Sequence, residues 1–280
     1  MEKLLLVDGS NLLFQMFYGM PARIVNGQGK AIQGTLGFVG ALLKMLRMTC
    51  PTHAAVLFDG ECANPRRELD ENYKANREDF SALPEENTPF SQLPDIFAAL
   101  DYIGIPYAQT TDCETDDWMA GYALQWGKDR AMVIASQDSD FYQLLSENVS
   151  ILRYRGDHTT FMTPETLADK LGIRPEQYAD FKSLTGDGSD NIPGVPKIGP
   201  KTAAALLQQF GSVENMLLLS HLIAKPSIRA SVENHTDRIR KNQLLITLRA
   251  GASLPFREAQ LCYTDRELTT GKVLSAIGVR

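Results

Sequence analysis

Cys113-Glu114-Thr115-Asp116-Asp117-Trp118-Met119-Ala120-Gly121-Tyr122-Ala123 puts three acids at the start of a predicted helix, because Trp118, Met119, Tyr122 and Ala123 recur at helical spacing. Glu114 and Asp117 share a face of that helix, whereas Asp116 points elsewhere. One acid in this position is an ordinary cap for backbone N–H groups and suits the helix dipole. Three together carry a charge that has to be met by a cation, and an all-oxygen donor set selects hard divalent ions.

The pattern repeats on either side. Lys3–Val7, Ala54–Phe58 and Ala131–Ala135 are short continuous apolar runs of the kind that form buried parallel strands. Ile105-Pro106-Tyr107 and Ser150–Tyr154 add two more strands, and Gly34–Met48 and Leu93–Ile103 have helical periodicity. Strands alternating with helices predict an α/β fold with a mostly parallel sheet flanked by helices. The first three runs lead directly into acids: Asp8-Gly9, Asp59-Gly60, and Asp138-Ser139-Asp140 after Ser136-Gln137. In open α/β sheets ligands bind beyond the carboxyl ends of the strands. A single acid there is a commonplace turn residue. Acids after three strands, with Glu114, Asp116 and Asp117 after a fourth, would repel strongly unless metal ions sat between them.

From Thr163 the character changes. Thr163-Pro164-Glu165 reads as a helix start with proline at its first position, and Glu176–Leu184 as another helix. Gly194-Val195-Pro196-Lys197-Ile198-Gly199 reads as a tight hairpin, Pro200 opens a helix to about Gln209, and Gly211 caps it. A helix–hairpin–helix of this kind offers backbone N–H groups to phosphate, with Gly194, Lys197, Gly199, Lys201 and Thr202 at the turn. The alternative is an ordinary glycine-rich connection between helices. Ser227–Ala250 is predicted helical, with Leu244, Leu245 and Leu248 as a core stripe and Arg238, Arg240 and Lys241 as a basic patch. The irregular segment from Arg66 to Gln92 begins basic, around Tyr73, Lys74 and Arg77. It reads either as a solvated linker or as a functional excursion in which Tyr73 stacks on a base while the cations hold phosphate.

Composition sets looser bounds. The 280 residues allow one large or two modest domains, and the apolar run at the N-terminus is too short for a signal peptide or a membrane span. Cys50, Cys62, Cys113 and Cys262 form no close pair, which favours a reducing, cytoplasmic setting. A formal charge of −6 argues against a simple basic nucleic-acid binder, but weakly, because acids gathered in one cluster leave the remaining surface free to be basic.

Six blocks now stand in one order: Asp8-Gly9-Ser10, Phe58-Asp59, Tyr73-Lys74-Ala75-Asn76-Arg77, Glu114-Thr115-Asp116-Asp117, Asp138-Ser139-Asp140, and Gly186-Asp187-Gly188-Ser189-Asp190-Asn191-Ile192-Pro193-Gly194-Val195. Over residues 3–250 the chain resembles the bacterial and phage 5′→3′ exonuclease/flap endonuclease family, which includes the N-terminal nuclease domain of DNA polymerase I. The resemblance implies a PIN-like nuclease core over residues 1–160 with an arch over 66–92. It implies a helical DNA-gripping region over 161–250, and leaves the tail 251–280 without a role. It assigns Asp8, Asp59, Glu114, Asp116 and Asp138 to one Mg²⁺, and Asp117, Asp140, Asp187 and Asp190 to a second, with Mn²⁺ as a substitute. K⁺ is a further candidate at the hairpin. Lys74 and Arg66 are expected at the scissile phosphate. The implied substrate is DNA with 5′ flaps or 5′ ends next to duplex, handled by a monomer, with a separate DNA polymerase as a candidate partner and no membrane.

The chain departs from the family at Gln15, where an arginine is usual, and Arg23 or Arg67 are the candidate substitutes; Pro65, Thr115 and Gln137 are lesser departures. Two rivals are weaker. A phosphatase with Asp8 as nucleophile would want an acid at Ser10, and a catalytically silent flap-binding relative should have lost carboxylates that are all present.

Overall fold

The computed structural model describes residues 2–20, 22–60, 65–76, 80, 84 and 87–279. Arg77 and most of the remaining arch segment to residue 86 lie outside them. A six-stranded sheet is built from β1 (Lys3–Asp8), β2 (His53–Phe58), β3 (Tyr107–Gln109), β4 (Ala131–Ala135), β5 (Val149–Arg153) and β6 (Thr160–Met162), in the order β3-β2-β1-β4-β5-β6. The first five are parallel, and β6 pairs antiparallel to β5 at the edge. Strand order reverses direction between β1 and β4, and a crevice opens at such a switch point.

Because side chains alternate along a strand, the sheet feeds two cores. On one face Leu5, Val7, Ala54, Val56, Phe58 and Val133 pack with α1 (Gly9–Gly19), α2 (Gln33–Thr49) and, after the short α3 (Pro65–Leu69), with α4 (Leu93–Ile103). On the other, Leu4, Leu6, Leu57, Met132 and Ile134 meet Trp118, Met119 and Tyr122 of α5 (Thr115–Gln125). That second core continues without a break into the helical region: α6 (Pro164–Leu171), α7 (Tyr178–Thr185), α8 (Pro200–Phe210), α9 (Val213–Leu218), α10 (Pro226–Asn234) and α11 (Thr236–Ile246). Thr163 caps α6 with a reciprocal side-chain box and Pro164 at its first turn.

Three expectations are corrected. The single helix over Ser227–Ala250 is two, α10 and α11, separated at His235, which leaves the helical region with φ −124° and ψ 23°. On α11 the buried positions are Ile239, Asn242, Leu245 and Ile246, so Leu244 falls off that face and is 57% exposed. The tail, unreadable from sequence, closes the nuclease core. The Ala54 N–H donates to the Leu261 carbonyl at 2.8 Å, and α12 (Thr270–Ala276) brings Val273 into the core beside α2 and α4.

The connection from α7 to α8 is longer than a tight hairpin. It opens with a two-stranded ladder, β7 (Gly186–Asp187) with β8 (Ile192–Pro193), and Asn242 Nδ2 donates to the carbonyls of Ser183 and Pro193 at 3.0 and 2.9 Å. Gly186 takes φ +81°, and a Cβ on Gly194 would stand 2.3 Å from the Thr185 carbonyl oxygen. Backbone cannot yield as a flexible side chain can. Gly194→Ala should therefore cost about 1–3 kcal/mol of stability, read as a lower urea midpoint with unchanged slope. An unchanged midpoint would contradict this packing.

Candidate metal centre and nucleic-acid interface

The strand-end acids accept backbone N–H groups of the loops around one crevice. Asp8 caps α1, its Oδ1 accepting the Asn11 N–H at 2.9 Å, while its Oδ2 accepts the Ser136 hydroxyl at 2.8 Å across the switch point between β1 and β4. Asp59 Oδ1 accepts the Thr115 N–H at 3.1 Å, at the first turn of α5. Asp138 Oδ1 accepts the Asp140 N–H at 2.9 Å. Capping and metal binding are thus compatible roles for one carboxylate.

Crowding is visible in the proton affinities. Burial, then Asp59, pushes Asp8 up to about 7, and burial, then Asp138, pushes Asp140 up to about 8. Asp116 is raised by burial and by Asp138, Asp59 and Glu114; Asp138 is raised by burial and by Asp190 and Asp187. Acids from β1, β2, β4, α5 and the 187–190 turn therefore share one field. Among the buried side-chain atoms of the described residues, Asp140 Oδ1 has no hydrogen-bond partner.

Three cations enter the cluster. Arg66 on α3 is 2% exposed; it pairs with Glu114 through Nη1 and with Asp117 Oδ1 through Nη2 at 2.9 Å. Its Nε and Nη2 also donate to the carbonyls of Leu245 and Thr247 at 2.9 and 3.3 Å. Burial opposes its charge, but Asp117 and Glu114 outweigh burial and hold its proton more tightly than usual. Lys74, 7% exposed, pairs with Glu114 Oε1 at 2.5 Å and stands 4.0 Å from Asp190 Oδ2. Lys182 pairs with Asp187 Oδ2 at 2.5 Å, and Ser189 donates its N–H to Asp187 Oδ1 at 2.8 Å. Burial raises Asp187, yet these contacts bring it below the ordinary carboxylate value.

These contacts bear on three of the expected site residues and add one. Arg66, expected at the scissile phosphate, is enclosed by two carboxylates and two backbone carbonyls, so its planar fork is directed at protein. Asp117, expected at the second ion, faces Arg66 with both oxygens and accepts the Arg249 N–H at 2.9 Å. Tyr73, expected to stack on a base, is 4% exposed and donates its hydroxyl to Asp190 Oδ2 at 3.3 Å. Lys182 was not foreseen; its one sequence signal is a position on the last turn of the helix that precedes Asp187.

Among the described residues no three acids already stand close enough together to hold an ion. Glu114 is engaged by Lys74 and Arg66 instead. The donor chemistry nevertheless fits hard divalent cations: the acids gathered are all oxygen donors, Asp8, Asp116, Asp138 and Asp140 are raised by burial and by neighbouring charges, and Asp140 Oδ1 is unsatisfied.

The helix–hairpin–helix side presents an open edge. Lys197, Gly199 and Lys201 are exposed, Lys197 takes φ +68°, and a Cβ on Gly199 would meet nothing within 4 Å. Thr202 is half-buried, and Gly194 is packed against Thr185 rather than open. At the other corner Gln15 Nε2 donates to the Tyr154 carbonyl at 2.7 Å, as does Gln137 Nε2 at 2.8 Å, and Arg155 Nε donates to Gln137 Oε1 at 3.0 Å. Arg153 and Arg155 both donate to Gln137 beside Gln15, while Arg23 and Arg67 are exposed side chains.

Comparison with known proteins follows this division of the chain. Residues 3–172 match the family described as 5′-3′ exonuclease, N-terminal resolvase-like domain, and residues 173–268 match 5′-3′ exonuclease, C-terminal SAM fold. Thermostable DNA polymerase I of Thermus thermophilus is 35% identical over 95% of this chain and 31% of its own length. DNA polymerase I of Bacillus subtilis is 34% identical over 94% and 29%. The chain thus spans less than a third of the length of these relatives. Among solved structures, the T5 D15 protein co-crystallised with metal ions superposes with a TM-score of 0.71 at 22% identity, over 88% of this chain and 89% of that one. Human GEN1 in complex with Holliday junction DNA gives 0.61 at 14% identity, over 98% and 66%. The two consecutive family matches cover nearly the whole chain, and with them the protein belongs to the 5′-3′ exonuclease family.

Proposed function

We propose that this chain is a structure-specific 5′ nuclease that hydrolyses phosphodiester bonds in DNA carrying 5′ flaps or 5′ ends next to duplex, acting as a monomer with Mg²⁺ as its metal. One observation carries the reading: acids from three strand ends, the α5 start and the 187–190 turn share one field with a buried lysine among them. Divalent ions held by these acids would supply a nucleophilic water and charge stabilisation for an in-line displacement. Asp8, Asp59, Asp116 and Asp138 form the strand-side ligand set, and Asp140, Asp187 and Asp190 the helical-side set. Glu114 joins the first set where it is released from its cations. Lys74 orients the phosphate and neutralises charge that develops on it, while Lys197, Lys201 and the amides around Gly199 track duplex phosphates. A 5′-flap duplex incubated with Mg²⁺ and with excess chelator tests the reading. Cleavage should require the metal; binding without cleavage would make the chain a flap-binding module.

Asp138→Asn separates charge from shape. The amide oxygen can still accept the Asp140 N–H, but one repelling charge is gone. Cleavage should fall about 10²-fold or more, as for loss of a group that acts on the transition state, while the metal-free unfolding temperature rises. A lower melting temperature would show that the cluster is not under repulsive load.

The raised acids fix a pH dependence. Folded Asp8 and Asp140 keep protons that the unfolded chain releases near the usual carboxylate value, so metal-free stability falls as pH rises from about 4 to about 8 and then levels off. Asp187 has the opposite sign, but acts only below the ordinary carboxylate range. In chelator the melting temperature should be higher near about pH 6 than about pH 8.5, and Mg²⁺ should raise it more at the higher pH, where the ligands are ionised. Calorimetry at the two pH values decides.

Lys74 and Arg66 should differ in kind. Lys74→Ala should lower single-turnover cleavage by about 10²-fold with a much smaller loss of substrate binding. Arg66→Ala strips Glu114 and Asp117 of a buried counter-charge and should cost about 3–5 kcal/mol of stability. An Arg66→Ala protein as stable as wild type, with a slowed chemical step, would return Arg66 to the phosphate.

A further inference from the structure

Two turns far apart in sequence are bonded face to face beside the cluster. The turn over residues 71–76 carries Lys74, and the turn over 188–191 carries Asp190. Asn76 Nδ2 donates to the Gly188 carbonyl at 2.9 Å, and Asn191 Nδ2 donates to the Asn72 carbonyl at 2.9 Å. The exchange is reciprocal: each turn lends an amide and receives one. Between these bonds the Lys74 N–H donates to the Asp190 carbonyl at 3.0 Å. Beneath them Tyr73 packs with Ile192, Leu245 and Ile246.

The backbone records how tightly this is determined. Lys74 and Asn191 sit in the left-handed region, at φ 56° and 57°. Asparagine is tolerated there, but a lysine is uncommon and persists where its surroundings hold it. Both asparagine side chains are exposed, so they bury no apolar surface, and each bond adds little net stability. What three bonds across two rigid turns do provide is a fixed relation between the segments.

We propose that Asn76 and Asn191 are positioning residues: their amide-to-carbonyl bonds fix the arch base against the acidic turn and so set where the Lys74 ammonium stands relative to Asp190. Lys74 belongs to the excursion after β2 and Asp190 to the helical region, and nothing in the sheet itself ties one to the other. A misplacement of about 1 Å at such a cation is enough to slow chemistry by about 10²-fold. The inference rests on the nuclease reading above and adds to it two residues that touch neither substrate nor metal.

The test is single-turnover cleavage of a 5′-flap duplex at saturating enzyme and Mg²⁺. Asn191→Gly keeps the left-handed backbone and removes the amide; Asn76→Ala removes the other amide. Each should slow the rate about tenfold or more with an unfolding midpoint close to wild type. Asn191→Asp, which keeps the shape but turns the donor into an acceptor, should be slow as well. In a Lys74→Ala background the same substitutions should have far less effect, because a residue that acts through Lys74 has nothing left to position. Wild-type rates for both variants, or equal losses with and without Lys74, overturn the proposal. If the wild-type chain itself leaves the flap uncut in Mg²⁺, the nuclease reading fails and this inference with it.

Discussion

Like charge crowded at one edge of a buried sheet is the constraint that the rest of this structure answers. Parallel pairing puts Val7 level with Val56 and with Ala135, so the acids that follow β1, β2 and β4 arrive side by side. The apolar faces on both sides of the sheet hold them there, each fully buried Leu or Val contributing about 1.5–3 kcal/mol. The repulsion is then met in three ways. Protons stay on Asp8 and Asp140 far above the usual range, Lys74 and Lys182 pair with individual acids, and Arg66 holds two acids at once.

Arg66 shows how the answer to that constraint shapes the fold. A buried ion pair is weak evidence for stability, because desolvation offsets much of the attraction. Its consequence here is geometric. One guanidinium joins α3, the start of α5 and the carbonyls of Leu245 and Thr247 at the end of α11 and just beyond it. The direction of Glu114 and Asp117 is thereby set by protein rather than by solvent. Lys74, a compact ammonium on a flexible stem, occupies the neighbouring position and pairs with Glu114.

Much of this was legible in the sequence, and what was missed has a common cause. β1, β2 and β4 carry continuous apolar runs, residues 4–7, 54–58 and 131–135, with acids at or soon after their ends, a signal that survives without tertiary context. Glu114 and Asp117 were placed on one face of a helix start, and the Arg66 fork spans them. Local pattern does not report which exposed-looking polar residue is drawn inside. Arg66 and Tyr73 lie in polar surroundings in sequence and Lys182 on an amphipathic helix, and it is Leu245, Ile246 and Asp187 that enclose or engage them. Leu244 is the converse: it reads as core and is exposed, because the buried face of α11 runs through Ile239, Asn242, Leu245 and Ile246 and Leu244 lies off it. β6 is three residues long with Phe161 exposed, too short for a period of two to show.

The formal charge of −6 is resolved by the same accounting. The acids gathered at the site are Asp8, Asp59, Glu114, Asp116, Asp117, Asp138, Asp140, Asp187 and Asp190, and the cations among them are Arg66, Lys74 and Lys182. Formally that excess of acid equals the excess of the entire chain. Outside the crevice the chain is then balanced on average, and the exposed Lys197 and Lys201 stand beside the open backbone at Gly199. Such exposed charges act within about 8–10 Å, the screening length at ordinary ionic strength. An acidic composition therefore does not oppose nucleic-acid binding in this chain, because the acidity is concentrated where cations are needed and absent on average from the rest of the surface.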